Sequence, residues 1–129
     1  MVQDPVLSSL PDYQEKMYFS SGGFQDFTDY AKYTFDNMDA SVLEANPYFI
    51  PVTSEDKKEI LSYIENFENW VAIIGDDLAP KYDFDKSAIA EGDYFYIQFE
   101  YTYDRRFQNY DVYFFDVDLQ TLFYFHNNI

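Results

Sequence analysis

The chain has 129 residues, 24 Asp and Glu against 8 Lys and Arg, a formal net charge of −16, 14 Tyr, 14 Phe and no cysteine. That size fits one ordinary domain whose core needs no staples. The charge argues against holding a phosphate backbone, and the missing thiols exclude disulfides, thiolate metal sites and cysteine nucleophiles.

Residues 1–19 read as an N-terminal arm, because Pro5 and Pro11 interrupt any long helix. Residues 20–129 read as a single α+β domain. After the break at Ser20-Ser21-Gly22-Gly23, with Ser21 as N-cap, Phe24, Phe27, Ala31 and Phe35 follow a helical period and predict a first helix over 24–38. Pro47 and Pro51 mark a connector. Thr53 with Asp56 resembles a capping box, and Ile60, Ile64, Phe67 and Val71 repeat at helical spacing. They predict a second helix over 54–74, stopped at Gly75.

An acidic loop over 76–92 follows, with Asp85 capping a short turn. The runs 93–103, 110–117 and 121–126 alternate with period two and predict antiparallel strands, the last two joined by a tight turn at Asp118-Leu119. The expected fold is therefore α+β, with two main helices packed on one face of a C-terminal three- to four-stranded antiparallel meander.

In the first run Phe95, Ile97, Phe99, Tyr101 and Tyr103 share one face and predict the core side, which puts Tyr94 and Tyr96 on the other. The later runs carry rings on both sides, more than helices on one face can cover. Either the arm (Val6, Leu10, Tyr13, Met17, Tyr18), a second copy in a homodimer, or a partner covers the rest.

Chemistry-bearing motifs are scarce. His126 is the single histidine, and neither GxSxG, GxGxxG nor a P-loop occurs. Asp83, Asp85, Ser87 and Glu91 begin like a calcium loop, but Ala88 and Tyr94 stand where that loop needs Gly and Glu. No catalytic residue, metal or cofactor is expected. Helical carboxylates at i, i+3 or i+4 lie about 5–6 Å apart, near phosphate spacing. Asp26 with Asp29, and Glu55 or Asp56 with Glu59, would present such a surface.

The expected function is a non-enzymatic acidic module of inhibitor or immunity type that captures a basic protein by electrostatic steering and burial of aromatic anchors. Its candidate contact residues are Tyr94, Tyr96, Asp26, Asp29, Glu55, Asp56 and Glu59. The alternative is an accessory domain of an exported or surface bacterial protein that uses an open aromatic sheet face. No leader or long apolar run is visible, which gives a cytoplasmic default, or export if a leader was removed, and predicts neither membrane insertion nor a nucleic-acid partner.

Overall fold

The computed structural model describes residues 4–23 and 25–129. Its strands are β1 (Glu15–Gly22), β2 (Phe27–Thr34), β3 (Ile50–Pro51), β4 (Tyr94–Phe99), β5 (Asn109–Asp116) and β6 (Thr121–Asn128). They form a six-stranded sheet in the order β1-β2-β6-β5-β4-β3, antiparallel throughout. The α-helices are α1 (Pro5–Ser8), α2 (Ala40–Ala45) and α3 (Ser54–Ile74). Among the described residues no helix is long and apolar enough to cross a membrane.

This corrects the expected fold. Strands dominate, and one long helix stands where two main helices on a three- to four-stranded meander were expected. The expected first helix over 24–38 is instead β2 and its flanks. The physical reason is an ambiguity of period. Phe27, Ala31 and Phe35 are spaced by four, close to one helical turn of about 3.6 residues and twice the strand repeat, so they share a face in either conformation. Phe24, the remaining member of the helical stripe, lies outside the described residues.

The strand-forming Thr28, Tyr30, Tyr33 and Thr34 favour the extended form. Ser21 caps no helix there and pairs with Thr28 in the β1–β2 ladder. Gly22 has φ +109°, and a Cβ there would meet the Asp26 carbonyl oxygen at 2.4 Å, so the hairpin needs glycine at that point.

The first face of the sheet carries α3. Ile60, Tyr63, Ile64 and Phe67 pack with Tyr30, Tyr110, Val112, Phe114 and Phe125, and Leu78, Phe84 and Ile89 of the following loop extend the cluster. The helix begins as its sequence dictates. Thr53 Oγ1 accepts from the Asp56 amide at 3.3 Å, and Asp56 Oδ2 accepts from the Thr53 amide at 3.1 Å. Thr53→Ala removes this box from an exposed position, so urea denaturation is expected to show a loss of about 1 kcal/mol.

The second face is covered in part by the chain's own N-terminal and connector segments. Val6 and Leu10, around α1, and Leu43 of α2 pack with Phe49 on Tyr33, Tyr94, Tyr113, Phe115 and Leu122. Asp4 caps α1 through the amides of Val6 and Leu7 and also accepts the Tyr113 hydroxyl at 2.9 Å.

The core side expected over Phe95–Tyr103 is also corrected. Phe95 and Ile97 pack toward α3, but β4 ends at Phe99, and Phe99, Tyr101 and Tyr103 are 40%, 52% and 66% exposed. Tyr101 takes a left-handed φ of 70°, which breaks the alternation. The chain then curls into a turn over Tyr103–Arg105, where the Arg105 guanidinium lies 4.5 Å over Tyr101 and that of Arg106 3.8 Å over Tyr103.

Candidate functional site

The cover on the second face lies over the row Tyr33, Leu122, Phe115 and Tyr94. Further along the strands the register sets out a row of polar side chains on that same face. Ser20, Asp29, His126, Asp111 and Gln98 follow one another across β1, β2, β6, β5 and β4. The row between this one and the cover is Tyr18, Ala31, Tyr124, Tyr113 and Tyr96. Phe27, Asn128, Asn109 and Glu100 lie on its other side.

Asp111 is the hub. One carboxylate oxygen receives His126 Nδ1–H at 2.7 Å and the Tyr124 hydroxyl at 2.5 Å, and the other receives Gln98 Nε2–H at 2.9 Å. Burial opposes its charged form, but the hydrogen bonds from His126 and Tyr124 outweigh burial and hold the carboxyl below its ordinary value. Burial likewise disfavours the His126 imidazolium. The hydrogen bond to Asp111, its charge and then the charge of Asp29 outweigh it and raise the imidazole's pKa.

The His126 ring stacks parallel to Tyr124 with centroids 6.3 Å apart and lies 5.5 Å from Phe27. Asp29, on the other side of His126, is only 7% exposed, and the Tyr18 phenol faces it. Burial and then the Asp29 charge push that phenol well above its ordinary value.

The arrangement can hold a positive group against carboxylates and offer phenolic hydroxyls beside it. As a hydrolytic centre it is incomplete. Ser20 shares the row but stands two strands from His126, about 10 Å at ordinary strand spacing, which is beyond proton-transfer reach.

The residues singled out from sequence divide between the two faces. Asp29 and Tyr96 fall on the part of the second face that α1 and α2 leave clear, where Asp29 is itself buried beneath its neighbours. Tyr96 is half-buried, its ring 5.3 Å from that of Tyr48. Tyr94 is buried at 7% exposure beside α2, with its hydroxyl 3.4 Å from Glu44. Asp26 is exposed in the β1–β2 turn, so it and Asp29 form no helical pair. Glu55, Asp56 and Glu59 lie on α3, across the sheet, and the Asp56 carboxylate is occupied by the cap.

The calcium-like stretch is used otherwise. Asp83 accepts from the Tyr30 hydroxyl at 2.8 Å and pairs with Lys32 at 2.5 Å, while Asp85 caps the turn over Lys86–Ala88.

Sequence reasoning missed Asp111, Tyr124 and Gln98, set Tyr18 in a covering arm where the structure has β1, and treated His126 as a lone residue. The signal was present in the hairpin. A turn centred on Asp118-Leu119 places Asp111 opposite His126, because both lie equally far from it. Comparisons with family models, with curated proteins and with solved structures gave no match.

Proposed function

We propose that this chain is a non-catalytic binding module that captures a basic protein through the uncovered part of its second sheet face. The observation that carries this reading is the row Asp29, His126, Asp111 and Gln98, bordered by Tyr18 and Tyr96 and lying beyond the reach of α1 and α2. A field from a net charge of −16 steers cationic partners toward the molecule. The tyrosines then supply area with polar tips and little ordering entropy. Proteins that handle polyanions present basic surfaces of the matching kind, and masking one of them is inhibitor or immunity-type action.

The test separates this face from net charge alone. Nona-arginine is titrated at low and moderate salt, with binding followed by amide chemical shifts. Shifts are expected to concentrate at Gln98, Asp111 and His126, and affinity to fall as salt rises. Asp29→Asn with Glu100→Gln is expected to weaken binding about tenfold, the equivalent of about 1.4 kcal/mol. Glu55→Gln with Glu59→Gln makes the same change of charge on α3 and is expected to stay within about twofold. Equal losses in both pairs would reduce the effect to net charge and overturn the assignment to this face.

A further inference from the structure

The outer edge of β1 adjoins the face just described. Its eight residues, Glu15–Gly22, pair with β2 in unbroken register, and among the described residues no strand pairs with their outer side. The opposite edge of the sheet is closed by β3, two residues long and including Pro51. Natural sheets blunt long edges with proline, bulges or charge. β1 contains no proline, and its only charges are Glu15 and Lys16.

Backbone direction follows from the hairpin. The Gly23 amide donates to the Asp26 carbonyl at 2.8 Å, which marks a hydrogen-bonded pair. Antiparallel alternation then commits Glu15, Met17, Phe19 and Ser21 to β2 and turns the amides of Lys16, Tyr18 and Ser20 outward. Met17 and Tyr18, pointing to opposite faces of the sheet, are 47% and 49% exposed. On the first face Met17 borders a groove of about 290 Å³, walled by Lys32, Asp83, Leu119 and Phe123. The Lys32–Asp83 pair neutralises itself there and Glu15 adds one carboxylate to the wall, while Met17, Leu119 and Phe123 give the groove apolar surface suited to an aliphatic side chain.

We propose that the β1 edge accepts an extended segment of the basic partner as a seventh strand, an inference that rests on the basic-partner reading above. Side chains of an added strand alternate between faces. One set would lie beside Tyr18 and Ser20, next to Asp29, and suits Lys or Arg. The other would lie beside Met17 and its groove, and suits aliphatic residues. The occupant is therefore a segment of alternating basic and apolar residues. A second copy is disfavoured by charge, because joining β1 to β1 brings together two chains of net charge −16.

The probe is a blocked octapeptide of alternating Lys and Val, compared with a Ser–Val peptide and with two Lys–Val versions N-methylated at every Lys or at every Val. Each methylated version blocks one edge of the peptide. The Lys–Val peptide is expected to bind and to slow hydrogen exchange at Lys16, Tyr18 and Ser20. One methylated version is expected to bind like the parent and the other about tenfold or more weakly. Ser20→Pro removes one outward amide at an exposed edge position that tolerates proline and leaves the Tyr18 ring in place, and is expected to weaken binding similarly with its melting temperature retained.

If both methylated versions bind like the parent and β1 gains no protection, strand addition is overturned while the basic-partner reading survives. If the Ser–Val peptide binds as tightly as Lys–Val with β1 protected, strand addition stands and the basic-partner reading fails. If no peptide binds, strand addition fails, and the nona-arginine titration alone decides the basic-partner reading. If the free chain sediments as a dimer with these amides already protected, the occupant is a second copy and the proposal is wrong.

Discussion

Phe125→Ala is expected to lower stability by about 3–5 kcal/mol, the usual range for emptying a buried phenylalanine site. The residue is 0% exposed on β6, which lies between β2 and β5. Its ring lies 5.5 Å from Tyr30, 5.3 Å from Phe67 and 5.0 Å from Phe84. Those neighbours come from β2, α3 and the loop after α3, so three segments lose their common contact at once. The cavity cannot close easily, because its floor is sheet backbone held by ladders on both sides.

Against a total stability of about 5–15 kcal/mol for a domain, the loss is a large fraction of the whole. Urea unfolding should show it as a lower midpoint with an unchanged slope. Phe99→Ala is the contrast. At 40% exposure, past the end of the helix-facing cluster, it is expected to change stability by about 0.5 kcal/mol or less. A comparable loss at both positions would restore Phe99 to the core and refute the early end of β4.

The difference between Phe95 and Phe99 shows how far alternation could be read from the sequence. Helix α3 was legible because its cap, stripe and stop agree. Thr53 and Asp56 form the box, Ile60, Ile64 and Phe67 are buried, and the chain leaves the helix at Gly75. A Cβ at Gly75 would meet the Val71 carbonyl oxygen at 2.4 Å, so close packing explains that glycine. The strands β4 to β6 were legible by period two, apart from the point where Tyr101 turns left-handed, which no alternation encodes.

The N-terminal hairpin was not legible from spacing, since Phe27, Ala31 and Phe35 satisfy both periods at once. Only pairing with β1 and β6 decides between them. The site was legible in fragments. Alternation alone places Tyr96 on the face away from the long helix, whereas helical spacing points to Asp29 through a helix that does not exist. His126 was judged without Asp111 because a residue's cross-strand neighbour appears only once the register is drawn.

That pair makes stability depend on pH in a defined way, and a plateau is expected between the ordinary values of the two groups, 3.8 and 6.5. Asp111 has a lowered folded value, so its contribution is complete above 3.8 and is lost as pH falls through the lower folded value. His126 has a raised folded value, so its contribution is complete below 6.5 and is lost as pH rises through the higher one. Asp93 works against the acid limb, since burial raises its folded value and protonation relieves it. The alkaline limb is cleaner, because the chain has one histidine and no cysteine.

His126→Gln is expected to reduce stability near pH 6 by about 1.5–3 kcal/mol, the range for a hydrogen bond to a charged group, and to flatten the decline above it. Urea midpoints measured from pH 3 to pH 9 check both limbs, and an unchanged alkaline slope in the variant would refute the role of the pair. The same deprotonation bears on binding. Asp29 and Asp111 flank His126 from neighbouring strands, so loss of its proton removes the only cation in that row. Affinity for nona-arginine is therefore expected to rise over the pH interval in which stability falls, and in His126→Gln to stay flat across it.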